Sequence, residues 1–121
     1  MINYTINTGI FSCDVKVILC SSNKELSKYF KKIKYKSPIT QALTTTFYNR
    51  GPIIVFGPKT TYGAIAHECL HATNNIMRLT GAKMSDEELQ AYTVQYLVDC
   101  IISNKRYSKW IEKIRNKGGK K

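Results

Sequence analysis

Ala64-Ile65-Ala66-His67-Glu68-Cys69-Leu70-His71-Ala72 carries the pattern His-Glu-x-x-His just past the middle of a chain of 121 residues. On a helix, residues four apart stand one above the other, so His67 and His71 can offer two imidazole nitrogens to a single ion. Glu68 is turned by about 100° from His67, which keeps its carboxylate near the ion, where it can polarise a bound water without taking a coordination site. That is the arrangement of a zinc hydrolase. The bland alternative is a helix with two histidines and no metal. Composition weighs against it, because these are the only two histidines in the chain.

Working outward from the motif, Thr60 or Thr61 can cap the helix that bears it, and Gly81 after Thr80 is placed as a left-handed stop. Ile65, Cys69, Ala72, Ile76 and Leu79 form its expected core stripe, leaving His67 and His71 on other faces. Upstream, Gln41–Tyr48 and Pro52–Gly57 are rich in β-branched and aromatic residues and read as a hairpin turned at Asn49-Arg50-Gly51. Ile53-Ile54-Val55-Phe56 is apolar throughout, which suits a strand covered on both faces or one that receives a ligand. Earlier still, Phe11–Cys20 reads as a strand. Ser22-Asn23-Lys24-Glu25 then has the form of a capping box opening a helix to about Tyr35, with Leu26, Phe30 and Ile33 at helical spacing and Pro38 stopping the pattern.

Downstream, Ser85-Asp86-Glu87-Glu88 opens a helix with Leu89, Thr93, Tyr96, Leu97, Cys100 and Ile101 as its buried stripe to about Asn104. The link to the motif helix is short, so the two should pack as antiparallel neighbours. Past Asn104, Tyr107, Trp110, Ile111 and Ile114 share one face of a short basic helix. That face either docks on the domain or anchors an acidic partner or membrane surface. The expected architecture is therefore α+β in one domain, order β-α-β-β-α-α over residues 1–104, with a basic C-terminal helix or tail over 105–121.

A chain of this length buries roughly two-thirds of the surface its unfolded form exposes, enough for one core and not two. Neither the first residues nor any later window resembles a signal peptide or a membrane span, which leads to the expectation of a cytoplasmic protein. Cys13, Cys20, Cys69 and Cys100 are widely spaced, contain no Cys-x-x-Cys pair and read as reduced, packed thiols. Nineteen Lys and Arg against eight Asp and Glu give a formal charge of +11. An acidic peptide substrate, an acidic protein partner or nucleic acid would each be attracted. The basic residues cluster at Lys24–Lys36 and Lys105–Lys121, and neither cluster carries a nucleic-acid-binding signature; a solvated basic face is the plainer reading.

Catalytic zinc usually takes three protein ligands and a water, so two histidines are one short. The acidic residues downstream are Asp86, Glu87, Glu88, Asp99 and Glu112. Strand, hairpin and helix followed by AIAHECLHA and then SDEELQAYTVQYLVD resembles the small single-domain zincins of gluzincin type, including metallopeptidases encoded by bacteriophages. The specific part of the likeness covers about Pro52 to Cys100. In such proteins the third ligand is a glutamate on the next helix, followed by a small residue and an aromatic, and Glu88-Leu89-Gln90-Ala91-Tyr92 fits that pattern. The resemblance thus implies Glu88 as ligand; Glu87, Asp99 or no third protein ligand are the alternatives.

Many gluzincins carry an aspartate four residues after the ligand, where this chain has Tyr92. A phenol oxygen there can accept an imidazole N–H or, as a donor, meet a developing oxyanion. Ser85 and Glu88 also fit a capping box, which offers Glu88 a purely structural role. The resemblance implies a zinc-dependent peptidase with Glu68 as general base, in the cytoplasm of a host cell or associated with a virion. Its rivals are a non-catalytic scaffold of the same fold used for binding in a virion or at a host surface, and a nucleic-acid-binding domain.

Overall fold

The structure, a computed structural model, describes residues 1–8, 13–33, 41–46, 51–83 and 85–119. It is an α+β domain with strands β1 (Ile2–Asn7), β2 (Asp14–Leu19), β3 (Ala42–Thr46) and β4 (Pro52–Phe56). Its helices are α1 (Asn23–Lys32), α2 (Tyr62–Thr80), α3 (Glu87–Ser103) and α4 (Lys105–Gly119). The order in the sheet is β1-β2-β4-β3, with β2 and β4 parallel and both outer pairs antiparallel.

The period-two alternation of the strands divides the molecule into two layers. Tyr4 and Ile6 of β1, Val15, Val17 and Leu19 of β2, and Ile54 and Phe56 of β4 point to one face, where they join Ile65, Cys69, Ala72 and Ile76 of α2 and Leu97 and Ile101 of α3. Ile18 and Val55 point to the other face and meet Leu26, Tyr29 and Phe30 of α1. Strand β4 is thus covered on both sides, as its unbroken apolar run suggests, and Ile54, Val55 and Phe56 are fully buried.

Strand β1 was not expected. Ile2, Tyr4 and Ile6 do alternate with Asn3, Thr5 and Asn7, but the run is short and asparagine is depleted in strands. Its register against β2, Ile2 opposite Leu19 through Asn7 opposite Asp14, supplies the tertiary pairing that local preference lacks. The observed order is therefore β-β-α-β-β-α-α-α, against the expected β-α-β-β-α-α. Helix α4 belongs to the main core: Trp110 is 1% exposed, its indole N–H donates to the Cys20 carbonyl at 2.9 Å, and Tyr107 packs beside it.

The caps follow the sequence with two changes. At α1 the Ser22 hydroxyl accepts from the Glu25 amide, but the Glu25 carboxylate reaches one residue further back than a simple box, to the Ser21 amide at 3.0 Å. The helix ends at Lys32, so its expected last turn and Pro38 lie outside the described residues. At α3 the cap is Asp86, whose carboxylate accepts from the Leu89 amide, so the Ser85–Glu88 box does not form.

Two glycines sit where the backbone requires them. Gly81 ends α2 with φ 75°, and Gly51 enters β4 with φ 94°, where a Cβ would come within 2.2 Å of the Asp14 carbonyl. Asn49 and Arg50, the rest of the expected turn, lie outside the described residues. Two stripe positions also differ. Leu79, in the last turn of α2, and Tyr96, whose phenol donates to the Asn7 carbonyl, are both exposed. Among the described residues no helix is long and apolar enough to cross a membrane.

Candidate metal centre

Helix α2 lies against β3 and β4, with Thr61 as its N-cap, and it presents His67 and His71 on its exposed side. Their Nε2 atoms are 3.1 Å apart, with ring centroids at 4.7 Å and the planes inclined at 76°. Without an ion, one ring can donate its Nε2–H to the other. The same separation also suits a shared metal: two nitrogens each about 2.0–2.1 Å from one tetrahedral ion lie about 3.3 Å apart. Both lone pairs then need the neutral tautomer protonated at Nδ1.

Glu68 is on the buried flank of the same turn, 8% exposed. The Thr44 hydroxyl of β3 lies 2.7 Å from its Oε1 and 3.1 Å from its backbone carbonyl, so one side chain fastens the carboxylate and the helix together. Thr44 was not singled out in the sequence. Its signal is weak: in Ala42-Leu43-Thr44-Thr45-Thr46 alternation puts Thr44 on the face opposite Leu43, but nothing local says that this face meets α2.

Cys69 is fully buried behind the motif. Burial, with the Glu68 charge beside it, pushes its thiol up to about 12, and it packs in the main core with Ile65 and Ala72. Burial likewise pushes Cys20 up to about 11. All four cysteines are free thiols, as expected.

The groups on α3 stand apart from the pair. Glu88 is exposed in the first turn, together with Glu87. Tyr92, one turn on, is 66% exposed. Gln90 bonds Asn74 at 2.6 Å, so the opening of α3 passes α2 just beyond His71. Among the described residues no three His, Cys, Asp or Glu side chains stand together in a group that could hold a metal ion. The structure therefore brings together His67, His71 and, on the flank, Glu68 with Thr44. It leaves Glu88, Glu87, Tyr92 and Asp99 on the exposed side of the neighbouring helix. Comparisons of the chain with family models, with curated proteins and with solved structures found no match in any of the three.

Proposed function

We propose that the domain is a zinc-dependent peptidase, with His67 and His71 as metal ligands and Glu68 as general base. The observation that carries this reading is the 3.1 Å separation of the two Nε2 atoms beside a carboxylate fixed by a strand. Zinc held there would supply Lewis-acid polarisation of a peptide carbonyl and acidification of a water. Glu68, fastened through Oε1 to Thr44, keeps Oε2 to take the proton of the attacking water and pass it to the departing amine. The Thr44 hydroxyl fixes where that carboxylate sits before substrate arrives.

Strand β3 pairs with β4 and forms one edge of the sheet, directly beside α2. An extended peptide can add to this edge through main-chain hydrogen bonds, which would carry its carbonyls past the histidine pair. The third ligand in this reading is Glu88, which stands apart from the pair in this structure and would have to close on it from the opening of α3 when the ion binds. Its carboxylate has no hydrogen-bond or ion-pair partner among the described residues, and the cap it could have served is filled by Asp86. Tyr92 lies one turn further on the same side of α3 and would move in with Glu88, to accept an imidazole N–H or to meet a developing oxyanion.

The second reading, a non-catalytic scaffold used for binding, draws on the charge of +11, which peptide hydrolysis does not require. Glu68→Gln separates the two, since glutamine keeps the shape of glutamate but cannot act as a base. The variant should retain bound zinc and lose hydrolysis of a broad peptide library by at least a hundredfold. Wild type and variant with the same turnover, or neither with any, would favour the binding reading.

A further inference from the structure

Gln41, the residue before β3, makes four hydrogen bonds to two other parts of the chain. Its carbonyl accepts from the Gly57 amide at 2.7 Å and from the Thr60 hydroxyl at 2.8 Å, and its carboxamide oxygen accepts from the Lys59 amide at 2.8 Å. Its carboxamide nitrogen donates to Oδ1 of Asn23, the first residue of α1, at 3.0 Å. A backbone N–H can only donate, so the Lys59 contact fixes which end of the carboxamide is oxygen. Gly57 makes room for the group: a Cβ there would come within 2.6 Å of both the Gln41 Oε1 and the Leu26 Cδ2.

Residues 57–60 are the whole connection between β4 and Thr61, the N-cap of α2. Gln41 therefore ties the start of β3 to the start of the helix that carries the histidine pair. Helix α2 packs back along β4, and β3 is antiparallel to β4, so helix and strand leave this tie in the same direction. From Gln41 to Thr44 the strand advances about 10 Å, and from Thr61 to Glu68 the helix rises about 10 Å. The two lengths match, and there the second tie falls, from the Thr44 hydroxyl to the Glu68 carboxylate and carbonyl. Apolar burial seats α2 on the sheet but carries no direction, whereas a hydrogen bond weakens steeply once its geometry is lost.

We propose that Gln41 is a positioning residue for Glu68: by tying the start of β3 to the loop that enters α2, it sets the helix level with the strand and keeps the Glu68 carboxylate on the Thr44 hydroxyl. A helix displaced by one residue's rise, about 1.5 Å, would carry that carboxylate out of hydrogen-bond reach. The structural role stands on the bonds alone; its consequence for turnover rests on the peptidase reading above.

Gln41→Leu removes the carboxamide. Gln41→Glu restores both of its bonds, because a carboxylate accepts from the Lys59 amide and from Asn23 once that side chain turns its nitrogen inward. In zinc-free full-length protein labelled with carbon-13 at glutamate, the Glu68 carboxylate resonance, assigned by its loss in Glu68→Gln, should shift in Thr44→Val. It should shift the same way in Gln41→Leu and return in Gln41→Glu. Thr60→Val, which removes only one bond to the Gln41 carbonyl, should give a smaller shift of the same sign and serves where Gln41→Leu fails to fold. In zinc-loaded protein, kcat on a model peptide should fall about ten- to a hundredfold in Gln41→Leu, with KM and zinc content as in wild type. Gln41→Leu/Thr44→Val should be no slower than Thr44→Val alone, since both changes act on one carboxylate. An unmoved Glu68 resonance in Gln41→Leu, losses that multiply in the double variant, or Gln41→Glu as impaired as Gln41→Leu would overturn the positioning role. No turnover by wild type would instead remove the peptidase reading, and the carboxylate resonance would then decide the role of Gln41 by itself.

Discussion

At Glu88 two roles compete, ligand and cap, and the capping atoms decide which is already filled. Asp86 accepts from the Leu89 amide, so α3 begins without help from Ser85 or Glu88. An exposed carboxylate with no structural duty is cheap to change for the fold and costly only if it binds something. Glu88→Gln should therefore leave thermal stability within about 0.5 kcal/mol of wild type, as for a surface substitution away from a special feature. It should also release zinc to a chelator far faster, because a neutral amide is a poor zinc ligand. Glu87→Gln, on the adjacent position of the same turn, should match wild type in both. Chelator competition with a chromogenic indicator reads the difference, and equal retention by Glu88→Gln and wild type would remove Glu88 from the site. His67 and His71 were legible in the sequence because helical spacing alone makes them neighbours. Thr44 was not, because its contact with Glu68 spans 24 residues and depends on how β3 is laid against α2.

Among the elements, α2 and its caps follow from local chemistry: Thr61 begins the helix, Gly81 ends it, and Ile65, Cys69, Ala72 and Ile76 seat it. Strand β1 is the opposite case, a weak local preference settled by pairing with β2. At α1 the capping carboxylate carries a pH dependence. Burial works against ionised Glu25, but the Ser21 amide, the terminal amine and Lys113 together outweigh it, and its carboxyl sits below the ordinary 4.5. A group whose folded value is depressed stabilises the fold above its unfolded value, and that stabilisation is lost as the pH falls through the folded value. Glu25→Ala should thus cost about 1 kcal/mol at pH 7. The difference from wild type should shrink as the pH drops below 4.5 and vanish below the folded value. Urea unfolding at a series of pH values measures this; a cost that stays constant down to pH 2 would assign it to lost packing.

For the whole molecule, one sheet covered by α1 on one side and by α2, α3 and α4 on the other places the histidine pair at the β3 edge and α4 at the β1 edge. The α+β class and the covered central strand could be read from alternation and apolar runs. The docking of α4 was an open choice in the sequence, and Trp110 decides it by filling the core and bonding the Cys20 carbonyl 90 residues away. The reading of the molecule as a peptidase turns on whether the pair on α2 holds an ion. Protein purified with added zinc, freed of loose metal by gel filtration and assayed by plasma emission spectrometry, should carry about one zinc per chain, and His71→Ala should carry none while remaining folded. Wild type without stoichiometric zinc, or His71→Ala with as much zinc as wild type, would contradict it.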